Sequence, residues 1–274
     1  AGQYAQNAQS VAIGYQSGQN YQATQSVAVG YQAGQSNQGA TSIAIGSFAG
    51  TENQDSNSIA IGYTAGNLAQ AGDAIAIGKY AGQSSQSSQC IAIGYGSGWN
   101  SQGCGSISIG FIAGASNQGQ ASVAIGHTAG LTSQSNYCVA IGNGAGRTNQ
   151  NTESICIGYN ASSGKIGDRS ISIGAFSRSE ANDCIAIGKN VLCREQDSIC
   201  IGNDSYSGGY SSLAIGRSSY TTGFRGVAIG NYCNAGEHCI AIGTGAYTSG
   251  TRGAIALGYG VFANNPGFFV KPIR

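Results

Sequence analysis

The sequence predicts an all-β fold, a parallel β-solenoid, and three observations carry that prediction. A four-residue phrase recurs at a nearly fixed period, its apolar residues alternate with period two, and a glutamine recurs at one register between phrases. The phrase is a large aliphatic, a small residue, a second large aliphatic and a glycine, written seventeen times from Val11-Ala12-Ile13-Gly14 to Ile255-Ala256-Leu257-Gly258. The first eleven of these anchor glycines, Gly14 to Gly174, stand 16 residues apart, the next four steps are 14 each, and the last two are 13 and 15. A period this short leaves room for one coil of a solenoid per repeat.

Each coil is read outward from its anchor glycine. Positions −3 and −1 are aliphatic in all seventeen coils, and position −2 is Ala, Ser or Cys in all seventeen. Alternation places −3 and −1 on one face of a strand and −2 on the other. The larger side chains are taken as the core: Val11, Ile13, Ile43, Ile45, Ile75, Ile77, Ile107 and Ile109 among them. A second short strand is expected directly after the glycine, with an inward Ala or Ser at +3, as in Ala33, Ala49 and Ala65. A polar loop then follows. It carries glutamine at +8 in nine consecutive coils, from Gln22 to Gln150. Stacked amides at one register bond to one another from coil to coil, so this ladder is read as structural.

Two aliphatics per coil make a thin core for so long a chain. The small stripe on the other face permits another chain to approach closely there. The expectation is a homotrimer around an axis lined by Ala12, Ala28, Ala44, Ala60, Ala76, Ala92, Ser108, Ala124, Ala140 and Cys156. Aromatic residues at +1, namely Tyr15, Tyr31, Tyr63, Tyr95, Phe111 and Tyr159, are candidates for binding a surface molecule, with packing along the roll as their other reading.

The chain divides into 16-residue coils over 1–173, 14-residue coils over 174–263, and a segment at 264–274 that lacks the phrase. Residues 1–146 hold four charges, Glu52, Asp55, Asp73 and Lys79, and the rest of the chain holds nineteen. In the shorter coils the small residues fall at +3 and +5, as in Ser177 and Ser179. Phe262, Phe268 and Phe269 are candidates to cap the last coil, because a solenoid's final coil exposes its core and an edge. Ala1-Gly2-Gln3 matches Ala33-Gly34-Gln35, so the sequence reads as starting inside a repeat, with further chain expected upstream.

Composition narrows the function. Charged residues are 8% of the chain and the net charge is +1, so there is no nucleic-acid footprint. No apolar run is long enough to span a membrane. Nine cysteines invite disulfides, yet no two share a register in consecutive coils. They are read as small buried residues with free thiols, Cys193 and Cys233 in loops being the exceptions. Cys233, His238 and Cys239 lack the spacing of a zinc site. Two histidines make no catalytic triad, and Asp183, Asp197 and Asp204 read as solvated loop acids rather than a catalytic pair. No enzyme activity and no cofactor are expected. Acyltransferase β-helices need three hexapeptides per coil where this chain has one, and ice binding wants a regular threonine face that is missing.

The 14-residue phrases, such as Ile185-Ala186-Ile187-Gly188, resemble the head repeats of YadA-like trimeric autotransporter adhesins, best over 174–263. The 16-residue phrase, as in Ser26-Val27-Ala28-Val29-Gly30-Tyr31-Gln32-Ala33-Gly34-Gln35, is similar to shafts of phage and large-virus fibre proteins. In those fibres a segment like Gly267-Phe268-Phe269-Val270-Lys271-Pro272-Ile273-Arg274 joins the repeats to a C-terminal chaperone domain. The resemblance implies a left-handed parallel β-roll, homotrimeric and extracellular, on a virion or a cell surface. It also implies a host-surface receptor or glycan as partner. Seventeen coils at ~4.8 Å predict a rod of ~80 Å. The reading is a non-enzymatic structural and adhesive fibre, with a bacterial adhesin head or a purely structural filament subunit as alternatives.

Overall fold

The computed structural model describes residues 1–248 and 252–271, and no helix occurs among them. The chain forms two compact units, Ala1–Asn149 and Gln150–Arg274.

In the first unit a full coil holds two three-residue strands. One covers −3 to −1, as in Ile75–Ile77, and the other covers +6 to +8, as in Ser84–Gln86. Each pairs in parallel with its counterpart one coil on, without slippage: Ile75 with Ile91, Ala76 with Ala92, Ile77 with Ile93, and Gln86 with Gln102. Two parallel sheets therefore face each other across a narrow interior. The segment directly after the anchor glycine is a turn rather than the expected strand. Ala33, Ala49 and Ala65 at +3 are buried in that turn, and the second strand begins three residues later.

The structure reverses the two faces of the first strand. Ala28, Ala44, Ala60, Ala76, Ala92, Ser108, Ala124, Ala140 and Cys156 point inward and are fully buried, and Ala12 near the chain start is partly buried. They fill the inside of the roll and cannot line an axis between chains. Val11, Ile13, Ile43, Ile45, Ile75, Ile77, Ile107 and Ile109, taken from the sequence as the core, are half-buried or exposed on the outside. The reason is space. Opposite Ala60 lies Gly66 in the left-handed conformation (φ +51°), where an added Cβ would sit 3.1 Å from the Ala60 Cβ and 2.6 Å from Gln70 Oε1. A roll that brings alanine this close to glycine holds no isoleucine pair.

The glutamines occupy what room remains. They sit on the second strand rather than in a loop, and Gln38, Gln54, Gln70, Gln86, Gln102, Gln118 and Gln134 are at most 2% exposed. Each Nε2 donates across the roll to the carbonyl of the −3 residue: Gln54 to Ile43, Gln70 to Ile59 and Gln118 to Ile107, each at 2.9 Å. Several also reach along the roll, Gln54 to Gln70 Oε1 at 3.2 Å and Gln70 to Gln86 Oε1 at 3.1 Å, whereas Gln102 donates to the Ser106 carbonyl at 3.3 Å. At Gln118 the acceptor is filled differently. Ser108, the one serine at −2 in this unit, donates its Oγ to Gln118 Oε1 at 2.6 Å. The amides thus bond both the two walls and successive coils.

The second unit uses the same first strand, from Ile155–Ile157 to Ala254–Leu257. Its second sheet is built of two-residue strands at +4 and +5, from Arg178–Ser179 to Phe262–Ala263. In the first two of these coils the small residue at +5 takes over the cross-roll bond: Ser179 Oγ donates to the Ile171 carbonyl at 2.8 Å, and Cys193 Sγ to that of Ile185 at 3.2 Å. Further along, Ser207 and Thr221 bond Ser212 instead, and Ala235 and Ala263 fill the position with a methyl group. The last strand, Gly267–Val270, pairs with Ala254–Leu257, which puts Phe269 in the inward register of Ala256. Phe269 packs against the final core cluster. Phe268 and Phe262 do not cover that end: they are 67% and 63% exposed, because their registers point outward. Residues 272–274, part of the expected exit segment, lie outside the described residues.

None of the nine cysteines is in a disulfide. Cys193 and Cys233, expected in loops, are fully buried, because +3 and +5 point inward in the shorter coils. Burial pushes the Cys90 and Cys184 thiols up and that of Cys233 up to about 11. The Cys200 thiol and burial together raise Cys193. Only Cys104 is partly exposed.

Three outcomes follow from this interior. Gln70→Ala removes four side-chain hydrogen bonds, to Ile59, Ala74 and Gln86 and from Gln54, and leaves a void, so thermal unfolding should show a loss of roughly 2–4 kcal/mol. Gln89→Ala, at an exposed register that holds alanine in Ala121, should change stability by less than about 0.5 kcal/mol. A thiol reagent at about pH 8 should label Cys104 quickly and the buried eight only on unfolding, since the closed roll shields their sulfur atoms from the reagent.

Candidate interaction surfaces

The outside of each unit carries three kinds of row, and each follows from the coil register. The first is the aliphatic row at −3 and −1. In the first unit it runs from Val11 and Ile13 to Val139 and Ile141, with Ile13 59% and Ile45 39% exposed. In the second it runs from Ile155 and Ile157 to Ile255 and Leu257. Charged side chains are absent from these positions. A monomer in water rarely leaves so continuous an apolar stripe uncovered.

The second row is aromatic. Tyr15, Tyr31, Tyr63, Tyr95 and Phe111 are exposed at +1, as read from the sequence, and so is Tyr159 in the second unit. The structure adds three members. Where +1 is Ser47 or Lys79, the ring moves to +2 as Phe48 or Tyr80, and His127 ends the series. The eight rings form one unbroken ladder. Tyr15 stacks on Tyr31 at 5.3 Å, Tyr95 on Phe111 at 5.2 Å and Phe111 on His127 at 5.0 Å, while Phe48 and Tyr80 meet their neighbours edge to face. Lys79 Nζ lies 5.0 Å from the Tyr80 ring centre and also reaches Tyr63 and Tyr95. Since each ring's faces are covered by the next, the ladder stiffens the stack and offers solvent mainly edges. The shift from +1 to +2 was the signal in the sequence for Phe48 and Tyr80.

The third row is the outer face of the second sheet. In the first unit its outward register is +7, occupied by Tyr21, Asn37, Asn53, Ala69, Ser85, Ser101, Asn117 and Ser133. Its residues hold the left-handed conformation, with Tyr21 at φ +55° and Asn53 at +53°. In the second unit the outward register is +4, where Tyr206 and Tyr220 stack at 4.5 Å and Arg194 covers the Tyr206 ring at 5.9 Å.

Charges in the second unit pair mainly between coils. Arg169 donates two bonds to Asp183, at 2.7 and 2.8 Å, and this guanidinium holds the Asp183 carboxyl below its usual range. Asp204 accepts a bond from Asn190 at 3.1 Å. Cys233 and Cys239 are inside the roll, whereas His238 is outside against Phe224, so the three do not converge. Among the described residues no cluster of His, Cys, Asp and Glu could hold a metal ion.

The model of the YadA head domain repeat matches residues 166–190, 207–232 and 236–260. These stretches lie mostly in the shorter coils, of 13 to 15 residues, whose outward aliphatic row and short second strands have just been described, and the chain carries YadA-type head repeats there. The crystal structure of the collagen-binding domain of the Yersinia adhesin YadA is 23% identical. That similarity covers 57% of this chain and 68% of that one, with a TM-score of 0.28. No curated protein matches the chain.

Proposed function

We propose that this chain, with its YadA-type head repeats, is a subunit of a homotrimeric adhesive fibre displayed outside a virion or a cell. The observation that carries the proposal is the uncovered aliphatic row. Its members are Ile, Val or Leu in every coil, so a second and third copy in register meet like aliphatic with like along the row of each unit. Burying each aliphatic contributes about 25 cal/mol per Å² of apolar surface, summed over every coil of three chains. The axis of the trimer is thus the −3 and −1 row. The −2 row, inside each roll, supports it by letting the walls close.

Attachment then falls to the rows that assembly leaves free. The ring edges of the Tyr15 to His127 ladder, Tyr159, and the outer faces of the second sheets remain on the outside of such a trimer. Three copies of each surface permit multivalent binding to a host-surface receptor or glycan through individually weak contacts. The Yersinia domain is described by its collagen binding, which makes a fibrous host protein one partner class to test. A bacterial adhesin head is the second reading, favoured by the matched repeats at 166–190, 207–232 and 236–260. No chemistry is assigned: Asp183 pairs with Arg169, Asp204 accepts from Asn190, and eight of the nine thiols are buried.

Light scattering on the full chain should give about 82 kDa, three times 27.5 kDa. Ile61→Asp with Ile77→Asp should abolish that mass, whereas Ser85→Asp on the opposite sheet should leave it intact, because only the first pair lies on the axis. A wild-type mass of 27.5 kDa would overturn the trimer. Binding of labelled trimer to cells and to immobilised collagen tests attachment. No saturable binding to either surface would leave a structural filament as the reading.

A further inference from the structure

We propose that a groove on the outer face of the second sheet in the first unit binds an uncharged oligosaccharide; this names a ligand for the attachment function and rests on that reading. The groove has a volume of about 480 Å³ and crosses four coils. Tyr21 forms a wall at one end, Asn37, Asn53 and Asp55 line the middle, and Ala69 and Ala71 keep the other end low.

Three observations select the ligand class. The first is the ring. Tyr21 is 68% exposed and, unlike the eight-ring ladder, has no stacking or cation partner among the described residues. Its face is therefore free to take the apolar face of a sugar ring. The second is the amide pair. Asn37 Nδ2 donates to Asn53 Oδ1 at 2.9 Å, which leaves Asn37 Oδ1 as an acceptor and the Asn53 amide hydrogens as donors. Asp55 Oδ1 takes the Ser56 amide at 2.7 Å and leaves its other oxygen as a second acceptor. Donors and acceptors thus recur at the coil spacing of ~4.8 Å, which suits a chain of repeating hydroxyl-bearing rings.

The third is charge. The side-chain charge in the groove is Asp55, with Glu52 next to Asn53 on the same strand. Lys79 is occupied among the tyrosines of the ring ladder. A sulfated or carboxylated sugar would meet carboxylates with no cation to offset them, so the ligand is uncharged. The groove lies on the sheet opposite the aliphatic row, and trimer formation leaves it open.

The register supplies variants that fold. Alanine already stands at the Tyr21 register in Ala69, and serine at the Asn53 register in Ser85. Calorimetric titration of the full chain with cellotetraose, maltotetraose and tetra-N-acetylchitotetraose should show saturable binding of at least one of them, and none of a sialylated tetrasaccharide. Tyr21→Ala and Asn53→Ser should each weaken it about tenfold or more, with unchanged circular dichroism. The proposal is overturned if no uncharged tetrasaccharide binds, if the sialylated one binds better, or if both variants bind as the wild type does. Cell attachment without sugar binding would remove the groove and keep the attachment reading. Sugar binding without cell attachment would do the reverse.

Discussion

The amide ladder is the constraint around which the first unit is arranged. A glutamine that donates both to the opposite wall and to the next amide sets the width of the roll at one side-chain length. It also demands an acceptor at −3 and empty space at +4. The empty space is why Gly66 and its equivalents stand where any Cβ would strike the amide oxygen. The fixed width is why −2 is alanine, serine or cysteine. A buried amide left half-bonded is costly, so one register slip would penalise every coil at once.

Where the period first shortens, the same bond is made with a shorter donor. In the 14-residue coils the strand begins at +4, where the longer coils have their glycine, and Ser179 or Cys193 at +5 reaches the −3 carbonyl that a glutamine reaches at +8. Two residues leave the coil, the long amide leaves the interior, and the first strand is unchanged. This is why the phrase itself runs unaltered through both regions while everything after the glycine differs.

An interior this narrow sends its large aliphatics outside, and the surface chemistry follows. The exposed rows are either stacked on themselves, as the ring ladder is, or left uncovered, as the aliphatic row is. A stack that satisfies its own faces gives stiffness. An uncovered uniform row asks for an identical partner, and the polar, outward second sheet is left to recognise something else.

Much of the fold was legible from the sequence. The fixed period defined coils, the period-two alternation placed −3 and −1 together against −2, and the recurring glutamine marked a coil-to-coil amide ladder. These are local facts, because a strand's alternation and a stack's identity rule act on neighbouring residues. What alternation does not contain is which face is inside. That depends on the distance between two sheets, which only the closed roll defines, and it reversed the roles of the Ile43 and Ala44 rows. The tertiary structure likewise decided that Cys193 and Cys233 are interior. It turned Phe269 rather than Phe262 or Phe268 into the end, and brought Phe48 and Tyr80 at +2 into one ladder with the rings at +1. It left Tyr21 with a free ring face, since a ring's partners are set by the coil above and below rather than by its neighbours in sequence.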